Sequence, residues 1–203
     1  MAINSTDIYT AEDRLYKVLN SIQYMSLEQA LKTNYNNKVS VKAIQNLVNQ
    51  GRAFYSKDKE YLLSRPWNKP FKSRIDAYDI VLQYITNIDL ANIFVAPNEE
   101  ENKVVLGFTK ESKAYEIYDA YKEKELNEII EDIETKWVQI NEEVECPIDN
   151  NLMFIVLIHH ESLLLYAPKE VKAPVVFAIK NSEEEQEEFD GRTFSFIDLY
   201  NED

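Results

Sequence analysis

Apolar residues fall at helical spacing three times in the first 50 positions. Leu15, Val18, Leu19 and Ile22 recur at three- and four-residue intervals, and Thr10 with Asp13 fits a capping box at the start of that stretch. A first helix is expected there. Ser26 is placed to cap a shorter helix, Leu27 to Thr33, carrying Leu27, Ala30 and Leu31, and the polar run Asn34 to Lys38 reads as a turn. In the third helix Ser40 is the expected N-cap, Val41, Ile44, Leu47 and Val48 form the apolar face, and Lys42, Gln45, Asn46 and Asn49 form the polar one. Gly51 sits where a helix needs a left-handed residue beyond its end, so a positive φ is expected. Ala53 to Tyr55 and Glu60 to Ser64 then read as two short antiparallel strands joined by the polar turn Ser56 to Lys59, and Pro66 closes the unit.

Helix, helix, turn, helix and hairpin in this order resembles the winged helix-turn-helix superfamily, with Leu47-Val-Asn-Gln-Gly51 and the following hairpin as the most specific part. The resemblance covers the first third of the chain. It implies a DNA-binding ancestry in which the third helix enters a groove and the hairpin touches backbone or minor groove. On that reading Ser40, Lys42, Gln45, Asn46 and Asn49 face the major groove, and Arg52, Lys57 and Lys59 reach from the wing.

Pro66-Trp-Asn-Lys-Pro70-Phe, with two prolines and two aromatics, is too stiff for a flexible tether and reads as a strap packing between domains. The expected division is a winged-helix domain at 1–66, the strap at 67–74 and a second domain at 75–203. A helix from Ile75 to Ile85 opens the second domain. Ile93 to Pro97 and Val104 to Phe108 make a hairpin around the acidic loop Asn98 to Lys103, and Tyr115 to Tyr121 fits either a strand or a helix. Leu126, Ile129, Ile130, Ile133 and Trp137 predict an amphipathic helix with its acidic residues outside. Leu152 to Ile158 is a strand buried on both faces. Leu163 to Tyr166, Val175 to Ile179 and Phe194 to Leu199 are three more strands, and Ser182 to Glu188 is an acidic loop or short helix. The fold class expected is α+β: a winged helix of three helices plus a β-hairpin, followed by a small mixed α/β domain. The layout also resembles the replication-relaxation proteins of Gram-positive plasmids and conjugative elements, a family whose second domain resembles a restriction-endonuclease fold.

The net charge of −14 argues against a nucleic-acid partner until it is divided along the chain. Residues 1–74 hold twelve Lys and Arg against six Asp and Glu, which leaves ten basic and thirty acidic residues beyond them, so the two parts carry +6 and −20. Six of the twelve, Arg52, Lys57, Lys59, Arg65, Lys69 and Lys72, lie in or just after the wing. A lone Cys146 and the lack of a basic-then-apolar N-terminus point to the cytoplasm, and the longest apolar run is too short to span a bilayer.

Enzymatic signals are weak. The acid-x-Lys pattern of a metal nuclease occurs three times, at Glu101-Asn-Lys103, Glu111-Ser-Lys113 and Glu134-Thr-Lys136, as chance allows in a chain that is 29% charged. His159 and His160 are adjacent on a strand end and so point to opposite faces, which suits a turn better than a metal site. No catalytic residue, metal ligand or cofactor is assigned. The expected function is a DNA-binding regulator, or a replication or transfer accessory factor of a bacterial mobile element. Its partners are double-stranded DNA and, through the acidic domain, a protein partner or a second copy. The alternatives are a winged helix used as a protein-interaction scaffold, and a restriction-endonuclease-like nuclease.

Overall fold

The computed structural model describes residues 10–33, 37–84, 93–95, 103–110, 113–143, 152–188 and 192–200. The protein is mixed α and β, with a small antiparallel sheet and a six-stranded mixed sheet. It divides into two compact units, Met1–Tyr78 and Asp79–Asp203. No helix among the described residues is long and apolar enough to cross a membrane.

In the first unit α1 (Ala11–Ile22) starts at Thr10, whose hydroxyl accepts from the Asp13 N–H at 3.1 Å and donates to the Asp13 carboxylate at 2.6 Å. Leu15, Val18, Leu19 and Ile22 are fully buried, as their spacing predicts. The chain then turns through Gln23 at φ 72° into β1 (Tyr24–Ser26), a strand that the sequence pattern did not reveal. Ser26 ends that strand and caps α2 (Leu27–Lys32) in a full capping box with Gln29.

Helix α3 spans Asn37–Asn49, so Ser40 lies inside it and is not its cap. The buried stripe is Ser40, Ala43, Ile44 and Leu47, which keeps Ile44 and Leu47 of the expected face but has Ser40 and Ala43 in place of Val41 and Val48, and Val41 is 44% exposed. The shift arises because Ser40 is small and its hydroxyl finds the Leu31 carbonyl at 2.9 Å, so a polar residue can occupy a core position. Gly51 has φ +67° and closes a Schellman motif: its N–H donates to the Val48 carbonyl at 3.0 Å, and that of Arg52 to the Leu47 carbonyl at 2.9 Å.

Strands β2 (Phe54–Tyr55) and β3 (Tyr61–Leu63) form the hairpin, and β1 pairs with the other side of β3, giving the order β1-β3-β2. Helix α4 (Lys72–Tyr84) runs across the boundary between the units. Its first turns belong to unit 1, not to the second domain expected from position 75. Arg74 lies 5.0 Å from the Tyr24 ring centroid and donates to Gln23 Oε1 at 3.3 Å, the Gln29 amide donates to the Ile75 carbonyl at 2.7 Å, and the Tyr78 hydroxyl meets that of Thr33 at 3.1 Å. In the segment 66–71 the aromatic side chains are exposed: Trp67 is 73% and Phe71 54% accessible.

The second unit carries the sheet β4-β5-β6-β7-β8-β9. Strands β4 (Ile93–Phe94), β5 (Val104–Lys110) and β6 (Lys113–Ala120) are an antiparallel meander. The crossover helix α5 (Glu123–Glu143) leads to β7 (Leu152–Ile158), parallel to β6, and β8 (Val175–Lys180) is parallel to β7. After α6 (Glu183–Glu188), β9 (Phe194–Ile197) closes the edge antiparallel to β8. Leu126, Ile129, Ile130 and Ile133 of α5 pack on Tyr118, Phe154, Val156 and Phe177 from the sheet. The segment Leu163 to Tyr166, expected as a strand, belongs to a 3₁₀ helix, Glu161–Tyr166, in which Leu163 is buried and Leu165 is 84% exposed. The loop 98–102 with Glu101, and also Ile85, Glu111 and Cys146, lie outside the described residues.

Candidate nucleic-acid interface

The outer face of α3 is built by exclusion. With Ser40, Ala43, Ile44 and Leu47 turned to the core, the exposed positions are Lys38, Val41, Lys42, Gln45 and Asn49, which follow one another at three- and four-residue spacing along one side. Lys42, Gln45 and Asn49 therefore stand where the sequence placed them. Ser40 does not: it is fully buried and committed to Leu31. Asn46 is half-buried, and its amide donates to the Glu12 carboxylate of α1, which also accepts from Gln50 at 3.3 Å. Val41 was assigned to the core and instead adds an apolar spot to the polar face, a feature that the small size of Ser40 could have signalled.

The hairpin of β2 and β3 is short, and its turn carries Lys57 and Lys59. Lys57 and Lys59 are exposed, and Lys59 holds φ 61°. The turn is braced by Asp58, which accepts from the Ser56 hydroxyl and from the Glu60 N–H at 3.1 Å. Those bonds, the Ser56 one first, hold the Asp58 carboxyl below the ordinary range. Arg52, at the root of the hairpin, is half-buried with its guanidinium 3.9 Å from the Tyr16 ring centroid. The Asn20 hydrogen bond and Arg52 lower the Tyr16 pKa. Arg52 thus braces the hairpin root against α1, a different use from reaching DNA.

In the second unit three of the four described members of the acid-x-Lys triplets are engaged separately, and the fourth, Lys113, is exposed. Lys103 pairs with Asp132 at 2.8 Å, Glu134 accepts from the N–H groups of Lys172 and Ala173 at 2.7 Å each, and Lys136 pairs with Glu116. Glu116 also accepts from the Tyr118 hydroxyl at 2.9 Å, and burial pushes the Tyr118 pKa upward. His159 Nε2 lies 2.7 Å from Asp119 Oδ1 with its ring stacked on Tyr121, whereas His160 faces solvent. Among the described residues no group of three His, Cys, Asp or Glu is placed to hold a metal ion. No protein-family model, no curated protein and no solved structure matches this chain.

Proposed function

We propose that the first unit is a winged helix that binds double-stranded DNA. Helix α3 reads the major groove through Lys42, Gln45 and Asn49, and the wing neutralises phosphate through Lys57 and Lys59. One observation carries the reading: the exposed face of α3 is polar at Lys38, Lys42, Gln45 and Asn49, interrupted only by Val41, while Ser40, Ala43, Ile44 and Leu47 on its other side are buried in the core. The order α1, β1, α2, α3, β2, β3 and the sheet β1-β3-β2 fit the same architecture. Gln45 and Asn49 carry paired donors and acceptors for base edges, and Val41 offers a surface for a thymine methyl. The acidic second unit serves a protein partner or a second copy, and a regulatory or replication role on a mobile element follows from the resemblance in layout.

A protein-interaction scaffold is the second reading, favoured by Glu12, whose carboxylate holds Asn46 and Gln50 at the end of the same face. Salt-dependent binding of the full chain to duplex DNA separates the two. Replacing Lys57 and Lys59 by Ala should flatten the slope of log affinity against log salt by about two units. Gln45→Ala should cost about 1 to 3 kcal/mol at a preferred site and much less on random duplex. If neither change alters duplex binding, the scaffold reading stands.

A further inference from the structure

We propose that the strap from Arg65 to Lys72 is a stacking platform for unpaired nucleotides, with Trp67 as the ring on which a base lies. This rests on the reading of the same unit as a nucleic-acid binder and names a second kind of strand that it would hold. Trp67 is the most exposed aromatic among the described residues, at 73%, and Phe71, four residues on, is 54% exposed. Tryptophan, with a large apolar ring and one polar N–H, is enriched where proteins meet their partners.

The strap is held in place. The Asn68 side-chain amide donates to the Gln23 carbonyl and to the Ser64 hydroxyl, each at 3.0 Å, and its backbone N–H donates to the Arg65 carbonyl at 3.1 Å. Pro66 and Pro70 fix φ on either side. The backbone that carries the ring is therefore held, so less of its freedom is left to lose on binding. Arg65, Lys69 and Lys72 are exposed around it, no acidic residue occurs from Tyr61 to Ile75, and none of the three cations pairs with a carboxylate among the described residues. Cations beside an open π-face suit a polyanion that also carries rings. In an intact duplex the base faces are already stacked and only edges are presented, so the complementary strand is one whose bases are unpaired.

The test uses the full-length protein and a fluorescent oligothymidylate of about twelve nucleotides, within the site sizes of stacking binders. Trp67→Ala should weaken binding about 5- to 150-fold, the loss of one base stack, and Trp67→Phe should keep most of the affinity because a π-face remains. On an abasic strand of equal length, wild type and Trp67→Ala should bind alike. Unchanged oligothymidylate affinity in Trp67→Ala overturns the inference, and so does an equal loss on the abasic strand, which would mark a structural role. Wild type that binds duplex but no oligothymidylate sinks the stacking platform and leaves the duplex reading intact; the opposite pattern does the reverse.

Discussion

The side-chain amide of Asn46 on α3 donates to the carboxylate of Glu12 on α1, so a residue expected to read bases is in use within the fold. Glu12 sets a negative charge at the margin of the face proposed to meet phosphate. Glu12→Gln keeps an acceptor for Asn46 and removes the charge. The variant should bind duplex DNA more tightly by up to about 1 kcal/mol at low ionic strength, a gain that shrinks as salt screens it. Titrations at two salt concentrations check both parts, and unchanged affinity at low salt would place the DNA away from α1.

Ser40→Ala separates a core role from a groove role. It removes the bond to the Leu31 carbonyl and should destabilise the protein by about 1 kcal/mol or somewhat more, since a buried acceptor loses its partner. Duplex affinity should not move. Denaturant midpoints and binding isotherms on one preparation decide it, and a binding loss larger than the stability loss would return Ser40 to the interface.

Lys59 permits stability and binding to be moved in opposite directions. Its φ of 61° costs a residue with a Cβ about 1 to 2 kcal/mol, of which the extra chain entropy of glycine cancels roughly half. Lys59→Gly should therefore raise the stability of the first unit by about 0.5 to 1 kcal/mol while lowering the salt slope by about one unit. Thermal melts and salt titrations on the same protein give the two readings.

Asp58 makes the turn between β2 and β3 sensitive to acid. Because the Ser56 and Glu60 bonds depress its pKa in the folded protein, its contribution is present above the ordinary carboxylate value of about 3.9 and is lost as pH falls through the lower folded value. Hydrogen exchange at the Glu60 amide should accelerate in that window relative to its intrinsic rate. In Asp58→Asn the pH dependence should be absent.

Two glycines should respond to alanine for different reasons. At Gly51 nothing lies within 4 Å of an added Cβ, so Gly51→Ala should cost only the left-handed conformation, about 1 kcal/mol net. At Gly107 the Cβ would fall 2.0 Å from the Phe94 ring, which lies across the strand. Gly107→Ala should therefore expel that ring, and its cost should largely vanish when Phe94 is already Ala. A double-mutant cycle measures this.

The sequence made legible those features whose cause is local. Leu15, Val18, Leu19 and Ile22 state their helix by spacing, and Gly51 states its end because only a residue without a Cβ takes that backbone easily. Strand β1 was not legible, since Tyr24, Met25 and Ser26 become a strand only by pairing with Leu63, Leu62 and Tyr61, more than thirty residues on. The Leu-Leu-Leu run before Tyr166 satisfies a strand pattern and a tight helix equally, and the exposure of Leu165 is decided by packing alone. On the outer face of α3 the exposure of Lys42, Gln45 and Asn49 follows from their spacing, whereas Ser40 is buried because a serine is small as well as polar.

The Gln83 amide has a consequence for what this protein refuses to do. Its Oε1 accepts from the Phe194 N–H at 2.8 Å and its Nε2 donates to the Phe194 carbonyl at 2.6 Å, so one side chain offers to the outermost strand the same donor and acceptor pair that another backbone would. Phe194 begins β9, where the six-stranded sheet ends. A free strand rim recruits further chains into growing ladders and finally into fibrils. With Gln83 in that position, a neighbouring molecule must first displace a bond already made, and the rim of β9 is closed to polymerisation at its first rung.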